Sequence, residues 1–238
     1  MRFPRPLVRG TLIRRYKRFL ADVRLEDGRA VTVHCANPGA MLGITEPGLP
    51  VWLLASIDPK RKLAWSWELV RTEGSLLGVD TSKPNTLVPE ALARGGIAEL
   101  QGYDGFRREV AYGRASRVDL LLTAPGRPIC YVEIKNVHLK RGEWAEFPDC
   151  VTARGAKHMA ELAEMVRAGH RAVVLYVVQR GDCRAFRVAG DLDPAYDRAF
   201  EAARAAGVEG LCYACEVSEA GIDIAGSLPV HRWGDAPN

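Results

Sequence analysis

The chain has 238 residues, 47% hydrophobic and 26% charged, with a formal net charge of +4. That is ordinary for a soluble globular protein of one large or two small domains, and its core needs no disulfide or metal staple. No apolar run approaches a membrane span and the N-terminus lacks the apolar stretch of a signal peptide, which argues against membrane and secreted classes. A cytosolic location is expected, with the six cysteines as free thiols. Cys212 and Cys215 have CxxC spacing, but no second Cys or His pair completes a zinc site.

The first eighty residues read as short strands. LVRGTLIRRY, RFLADVRL and RAVTVHC carry alternating or β-branched patterns, and Glu26-Asp27-Gly28-Arg29 supplies a hairpin turn. VWLLASI, LAWSWELVRT and SLLGVD follow, so five or so strands suggest a small closed barrel of the OB type. Arg2, Arg5, Arg9, Arg14, Arg15, Lys17 and Arg18 all precede the first acid, Asp22, with Tyr16 and Phe19 interleaved. This is either a nucleic-acid face or a solvated strand surface. The loop HCANPGAMLG requires a tight turn, or makes a backbone-amide cradle for an anion or base.

DTSKPNT reads as a linker, and VPEALARGG as a helix capped by Asn85 or Thr86 and closed by glycine. Domains are therefore expected at 1–82 and 83–238. GFRREVAYG, SRVDLLLTA and PICYVEIKNV are three strands with turns at Gly113 and Pro125-Gly126. A helix is expected at about 154–168, then the unbroken apolar strand RAVVLYVVQ, a helix opened by Asp193-Pro194, and the strand LCYACEV. The order α-β-β-β-α-β-α-β gives an α/β architecture (α+β for the whole chain) around a mixed sheet.

CYVEIKNV puts Glu133 and Lys135 two apart, on one face of an otherwise packing strand, with Val132 and Ile134 on the other. Asp119 interrupts the preceding strand 14 residues earlier, so hairpin pairing brings the two carboxylates together. Two carboxylates, with the Ile134 carbonyl as a further oxygen, suit Mg²⁺ or Mn²⁺. Lys135 is then placed to orient water or to counter charge growing on a phosphate. A plain ion pair at a sheet edge is the competing reading.

This order with D…E-x-K resembles the PD-(D/E)XK nuclease fold. PLVRGTLIRRYKRFLADV, HCANPGAMLG, REVAYGRASRVDLLL, YVEIKNVHL and FPDCVTARGAKHMAEL together resemble the sugar fermentation stimulation protein A (SfsA) family. The resemblance implies an OB-like domain joined to a nuclease-like αβββαβ domain, DNA as partner, and a role in regulating sugar (maltose) metabolism. It implies metal and catalytic positions at Asp119, Glu133 and Lys135, with a further acid from the helix before the sheet, Glu90, or else Glu109. It also implies that the later helix brings Arg154 and Lys157 to the scissile phosphate. Arg154, Lys157, His158 and Glu161 share one face of that helix, where His158 can equally pack or cap. The chain departs from the family pattern at Ala36, where proline is usual, and at Cys150, where alanine is. Val118 also stands before Asp119 where the fold's proline would be.

Two functions compete: a metal-dependent nuclease, supported by the intact acid–lysine group, and a non-catalytic DNA-binding regulator that uses Arg14, Arg15, Lys17 and Arg18. A helix-turn-helix stretched over residues 195–217, with Gly207 as its turn, is disfavoured because YACEV reads as a strand.

Overall fold

The computed structural model describes residues 1–113 and 116–235. The first strands are β1 (Val8–Tyr16), β2 (Leu20–Leu25), β3 (Ala30–His34), β4 (Pro50–Ala55), β5 (Trp65–Thr72) and β6 (Ser75–Gly78). They form one sheet in the order β3-β2-β1-β4-β5-β6, and a parallel contact between His34 and Ser66 joins β3 to β5, closing a five-stranded barrel with β6 appended. Closure removes the sheet edges that would otherwise invite pairing with other chains. Alternation along the strands sends Leu12, Val23, Val33, Leu53 and Trp67 inward to one core.

Helix α1 (Pro84–Ala93) follows. It begins earlier than the sequence suggests. Lys83 is its N-cap and makes no side-chain capping bond, while Pro84 occupies the first turn, where its missing N–H costs nothing. Asn85 is thereby released from capping.

The remaining elements are β7 (Gly105–Tyr112), β8 (Ser116–Thr123), β9 (Cys130–Val137), β10 (Leu139–Arg141), β11 (Trp144–Phe147), α2 (Ala153–Arg167), β12 (Arg171–Val178), β13 (Ala185–Val188), α3 (Pro194–Ala205), β14 (Glu209–Ser218), β15 (Gly221–Ser227) and β16 (Val230–His231). The main sheet runs β15-β14-β12-β9-β8-β7. Its centre, β12, pairs in parallel with β9 and β14, and the hairpins β7–β8, β8–β9 and β14–β15 are antiparallel. One face packs on α1 through Leu87, Val88 and Ala91. The other packs on α2 and α3 through Met159, Leu162 and Phe200. Covered on both sides, β12 is buried from Ala172 to Val178, which explains its unbroken apolar run.

A second small sheet, β10-β11-β13-β16, was not expected. Its strands are only two to four residues long and carry Lys140, Arg141, Glu146 and Arg187, so no period shows in them. The helix-turn-helix reading fails because residues 209–218 form β14 inside the main sheet. Cys212 and Cys215 lie buried in that strand as free thiols.

The barrel's loop 35–43 meets the segment between β11 and α2. The Met41 amide donates to Asp149 Oδ2 at 2.6 Å, so an anion does sit against this loop, and it is the chain's own carboxylate. Gly39 permits the approach, since a Cβ there would lie 2.8 Å from Asp149 Oδ2. On the far side of the joint, Gln179 donates to the Asp80 carbonyl (2.8 Å) and to Asn136 Oδ1 (2.6 Å).

Asp193 ties the two helices of the second domain together. Its carboxylate caps α3 through the Tyr196 amide at 3.0 Å and accepts from the Thr152 amide at 2.7 Å, just where α2 begins. Asp193→Ala is expected to cost about 2 kcal/mol, roughly a cap plus a stranded amide. A thermal midpoint lowered by several degrees would confirm this, and an unchanged one would refute the double role.

Candidate active site

Period-two alternation carries Glu133 and Lys135 to the face of β9 beneath α2, while Val132 and Ile134 enter the core beneath α1. Glu133 is 3% exposed. Lys135 Nζ donates to Glu133 Oε1 at 2.8 Å, and His158 Nδ1 contacts the same oxygen. Arg154 Nε donates to His158 Nε2 at 3.3 Å, which leaves Nδ1 as the ring N–H that donates to Glu133. His158 is therefore neither simple packing nor a cap. It is a relay between a rim arginine and a buried carboxylate.

Asp119 arrives from β8. Its Oδ2 accepts from the Ile134 amide at 2.7 Å and its Oδ1 from Asn85 Nδ2 at 3.1 Å. Ile134 thus contributes its amide to Asp119, and Asn85 comes from the start of α1. Burial and the nearby Glu133 charge push the Asp119 carboxyl up to about 6. Burial opposes ionisation of Glu133 as well. There, the hydrogen bond from His158 and the Lys135 charge outweigh it and hold the carboxyl below its ordinary value.

A third buried acid lies on α2. Glu161, one turn after His158 on α2, is 5% exposed, and neither of its oxygens has a hydrogen-bond partner among the described residues. Lys157 lies 3.6 Å from it. Tyr112, at the end of β7, buries a hydroxyl that also lacks a hydrogen bond among the described residues. Burial, then the charges of Glu133, Glu161 and Asp119 in turn, drive that hydroxyl far above its usual pKa, so all three acids lie within electrostatic reach of it. Of the four α2 residues grouped in the sequence, His158 and Glu161 are buried, and Arg154 and Lys157 are exposed. The sequence shows Glu161 only as a member of one helix face, because the helical pattern gives the face and not the groups it meets.

Glu90 does not join the group. Its carboxylate sits 2.8 Å from the N-terminal ammonium and is 42% exposed, on the part of α1 that lies toward β15. Glu109 is exposed on β7. Among the described residues, no three His, Cys, Asp or Glu side chains form a ready-made metal cage. The donors present are nevertheless hard oxygens, and among the described residues Glu133 Oε2 and both Glu161 oxygens are buried without a hydrogen bond, the Lys157 ammonium being an ion-pair neighbour of Glu161. Orphaned buried carboxylate oxygens are costly unless a cation satisfies them, so the residues suit a divalent ion.

The basic N-terminal face divides in two. Arg14 pairs with Asp22 at 2.8 Å and covers the Tyr16 ring, and Arg15 donates to the carbonyls of Asn37 (2.8 Å), Gly39 (2.9 Å) and Arg18 (2.9 Å). These two build the barrel and its loop. Lys17 and Arg18 stand exposed at the β1–β2 turn. No described helix is long and apolar enough to cross a membrane.

Comparison with known proteins fits both halves of this fold. Residues 13–79 match the family profile described as the SfsA N-terminal OB domain, and residues 82–221 match the sugar fermentation stimulation protein RE domain. A sugar fermentation stimulation protein homolog of Paramagnetospirillum magneticum is 60% identical over 96% of this chain and 97% of its own length. One from Jannaschia sp. is 58% identical over 97% of each. The structure of Pyrococcus furiosus SfsA in complex with Ca²⁺ superposes with a TM-score of 0.88 at 26% identity, covering 97% of this chain and 98% of that one. With an OB barrel carried on a mixed-sheet domain and relatives alike from end to end, the chain belongs to the sugar fermentation stimulation protein family.

Proposed function

We propose that this protein is a divalent-metal-dependent phosphodiesterase acting on DNA, with Mg²⁺ or Mn²⁺ as its ion. The observation that carries the reading is Lys135 held 2.8 Å from a buried Glu133 whose second oxygen has no hydrogen bond among the described residues, with Asp119 of the neighbouring strand bonded to the very next amide, Ile134. A structural ion pair needs no such orphan. Asp119 and Glu133 would hold the ion, with Glu161 as the further acid in place of Glu90 or Glu109. The Ca²⁺ bound to the P. furiosus relative supports a divalent site here. When bound, such an ion supplies Lewis acidity toward a phosphoryl oxygen.

The chain's own groups do the rest. Lys135 brings a cation that does not compete for the metal and counters charge developing on the phosphate. His158 keeps Glu133 oriented through its Nδ1–H, and Asn85 with the Ile134 amide fixes Asp119. Arg154 and Lys157 line the approach, where a phosphate backbone would meet them.

The test is a nicking assay on supercoiled, linear and single-stranded DNA with EDTA, Mg²⁺ or Mn²⁺. Cleavage with either ion, absent in EDTA, is expected. A mobility shift with no cleavage under any ion would favour the alternative of a non-catalytic DNA-binding regulator of sugar metabolism.

A further inference from the structure

Alternate residues of β7 serve opposite faces of the main sheet. Phe106 lines a cavity with Leu92 of α1 and Leu122 of β8, on the α1 side, whereas Val110 and Tyr112 pack into the core beneath α2. A regular strand keeps residues two apart on one face, so β7 is broken between them. The break is at Glu109. Strand β7 pairs with β8 from Gly105↔Thr123 to Arg108↔Leu120 and again from Val110↔Val118 to Tyr112↔Ser116, and among the described residues the ladder skips Glu109 and Asp119. Glu109 stands in the left-handed region at φ +51°, and Arg117 Nη1 donates to its carbonyl at 2.8 Å. On β8 the same break separates Val118, in the core beneath α2, from Leu120, in the core beneath α1. A charged residue with a long side chain is strained in that region, and such strain collects at functional sites, where it re-aims side chains.

What the break re-aims is Tyr112. The residue is 8% exposed, its ring set against Tyr131 with centroids 5.6 Å apart. Its hydroxyl is buried and, among the described residues, makes no hydrogen bond. The next residue, Gly113, runs against Glu161: a Cβ there would lie 3.1 Å from Glu161 Oε1. Glu161 is short of donors in turn, with no hydrogen bond to either oxygen among the described residues and the Lys157 ammonium at 3.6 Å. Its charge is felt at the Tyr112 hydroxyl. A buried donor without an acceptor therefore neighbours a buried acceptor without a donor. Water is what joins such groups when they do not meet directly.

We infer that Tyr112 is a positioning residue of the candidate metal site: its hydroxyl donates to a water held against Glu161 and through that water orients the carboxylate toward the ion. The inference rests on the metal reading above, with Glu161 as the further acid, and adds to it a residue from a third strand. In this role Tyr112 touches neither ion nor substrate. Without the hydroxyl, Glu161 keeps its place on α2 but loses a donor that fixes its side chain, and losing such an outer partner costs a metal site about 10–100-fold in affinity.

The test is calorimetric titration of Ca²⁺ into the full chain, its Tyr112→Phe and Glu161→Gln variants and the double variant, with Ca²⁺ carried high enough to saturate the weakest of them. Tyr112→Phe should weaken binding about tenfold. Because the hydroxyl acts through Glu161, its loss should cost nothing further once Glu161 is glutamine, so the double variant should bind as Glu161→Gln alone does. Phenylalanine keeps the ring and its packing, and the thermal midpoint in EDTA should move by no more than a few degrees, which separates lost affinity from lost folding. A wild type that binds Ca²⁺, with Tyr112→Phe unchanged or with its loss simply adding to that of Glu161→Gln, overturns this inference alone. A wild type that binds no Ca²⁺ overturns the metal reading and this inference with it.

Discussion

Lys135→Met is expected to lower metal-dependent cleavage by about a thousandfold, the usual effect of removing a charge that acts on a transition state. Methionine keeps the apolar stem of the side chain and removes only the ammonium. Glu133 would retain His158 and so would not be left as a bare buried charge. The stability loss should therefore be about 1–2 kcal/mol, below the roughly 3–5 kcal/mol of a pair broken outright. Activity and stability then separate. Rates per folded molecule, with folding followed by circular dichroism, should fall about a thousandfold while the thermal midpoint moves by a few degrees. A variant that cleaves at even a tenth of the wild-type rate would reduce Lys135 to an ion-pair partner. The same assay on His158→Gln offers a contrast: an amide can still donate to Glu133, and a loss well short of that for Lys135→Met is the mark of a positioning residue.

Much of this site was legible because β-strands have a rigid period. Two residues apart means the same face, so Glu133 and Lys135 could be paired from the sequence, and the 14-residue spacing of Asp119 fits a hairpin. The packing of separate elements was not legible. Glu90 and Glu161 both lie on helices flanking the same sheet, and local spacing does not tell which one faces the strand acids. The outcome depends on how α1 crosses the sheet, with Asn85 near Asp119 and Glu90 near the β15 edge. The same limit applied to the N-terminal arginines. Arg14 and Arg15 look alike in sequence, yet Asp22 on the neighbouring strand takes one, and the carbonyls of loop 37–39 take the other. The small sheet escaped because two to four residues cannot display an alternation, and its inter-strand pairing is set by distant parts of the chain.

The placement of Glu161 leads to the second large effect. Glu161 buries a carboxylate with no hydrogen bond to either oxygen among the described residues, only the Lys157 ammonium at 3.6 Å, and burying such a charge without hydrogen bonds costs the metal-free protein stability. Glu161→Gln removes that charge while keeping the shape. The metal-free variant should consequently melt no lower than the wild type, the opposite of what most buried substitutions do. Its response to metal should collapse. An ion at a hundred times its Kd stabilises the folded state by about 2.7 kcal/mol, whereas a hundredfold loss of affinity leaves about 0.4 kcal/mol at the same concentration. For a chain of this size the first figure is a midpoint shift of about 5–10 °C and the second about one. Thermal melts with Ca²⁺, Mg²⁺ or Mn²⁺ read this without any cleavage, and calorimetric titration gives the affinities directly. Glu90→Gln should leave the metal-induced shift intact, because that carboxylate is engaged with the N-terminal ammonium. If Glu161→Gln keeps the full shift and Glu90→Gln loses it, α1 supplies the further acid after all and must rearrange when the ion binds.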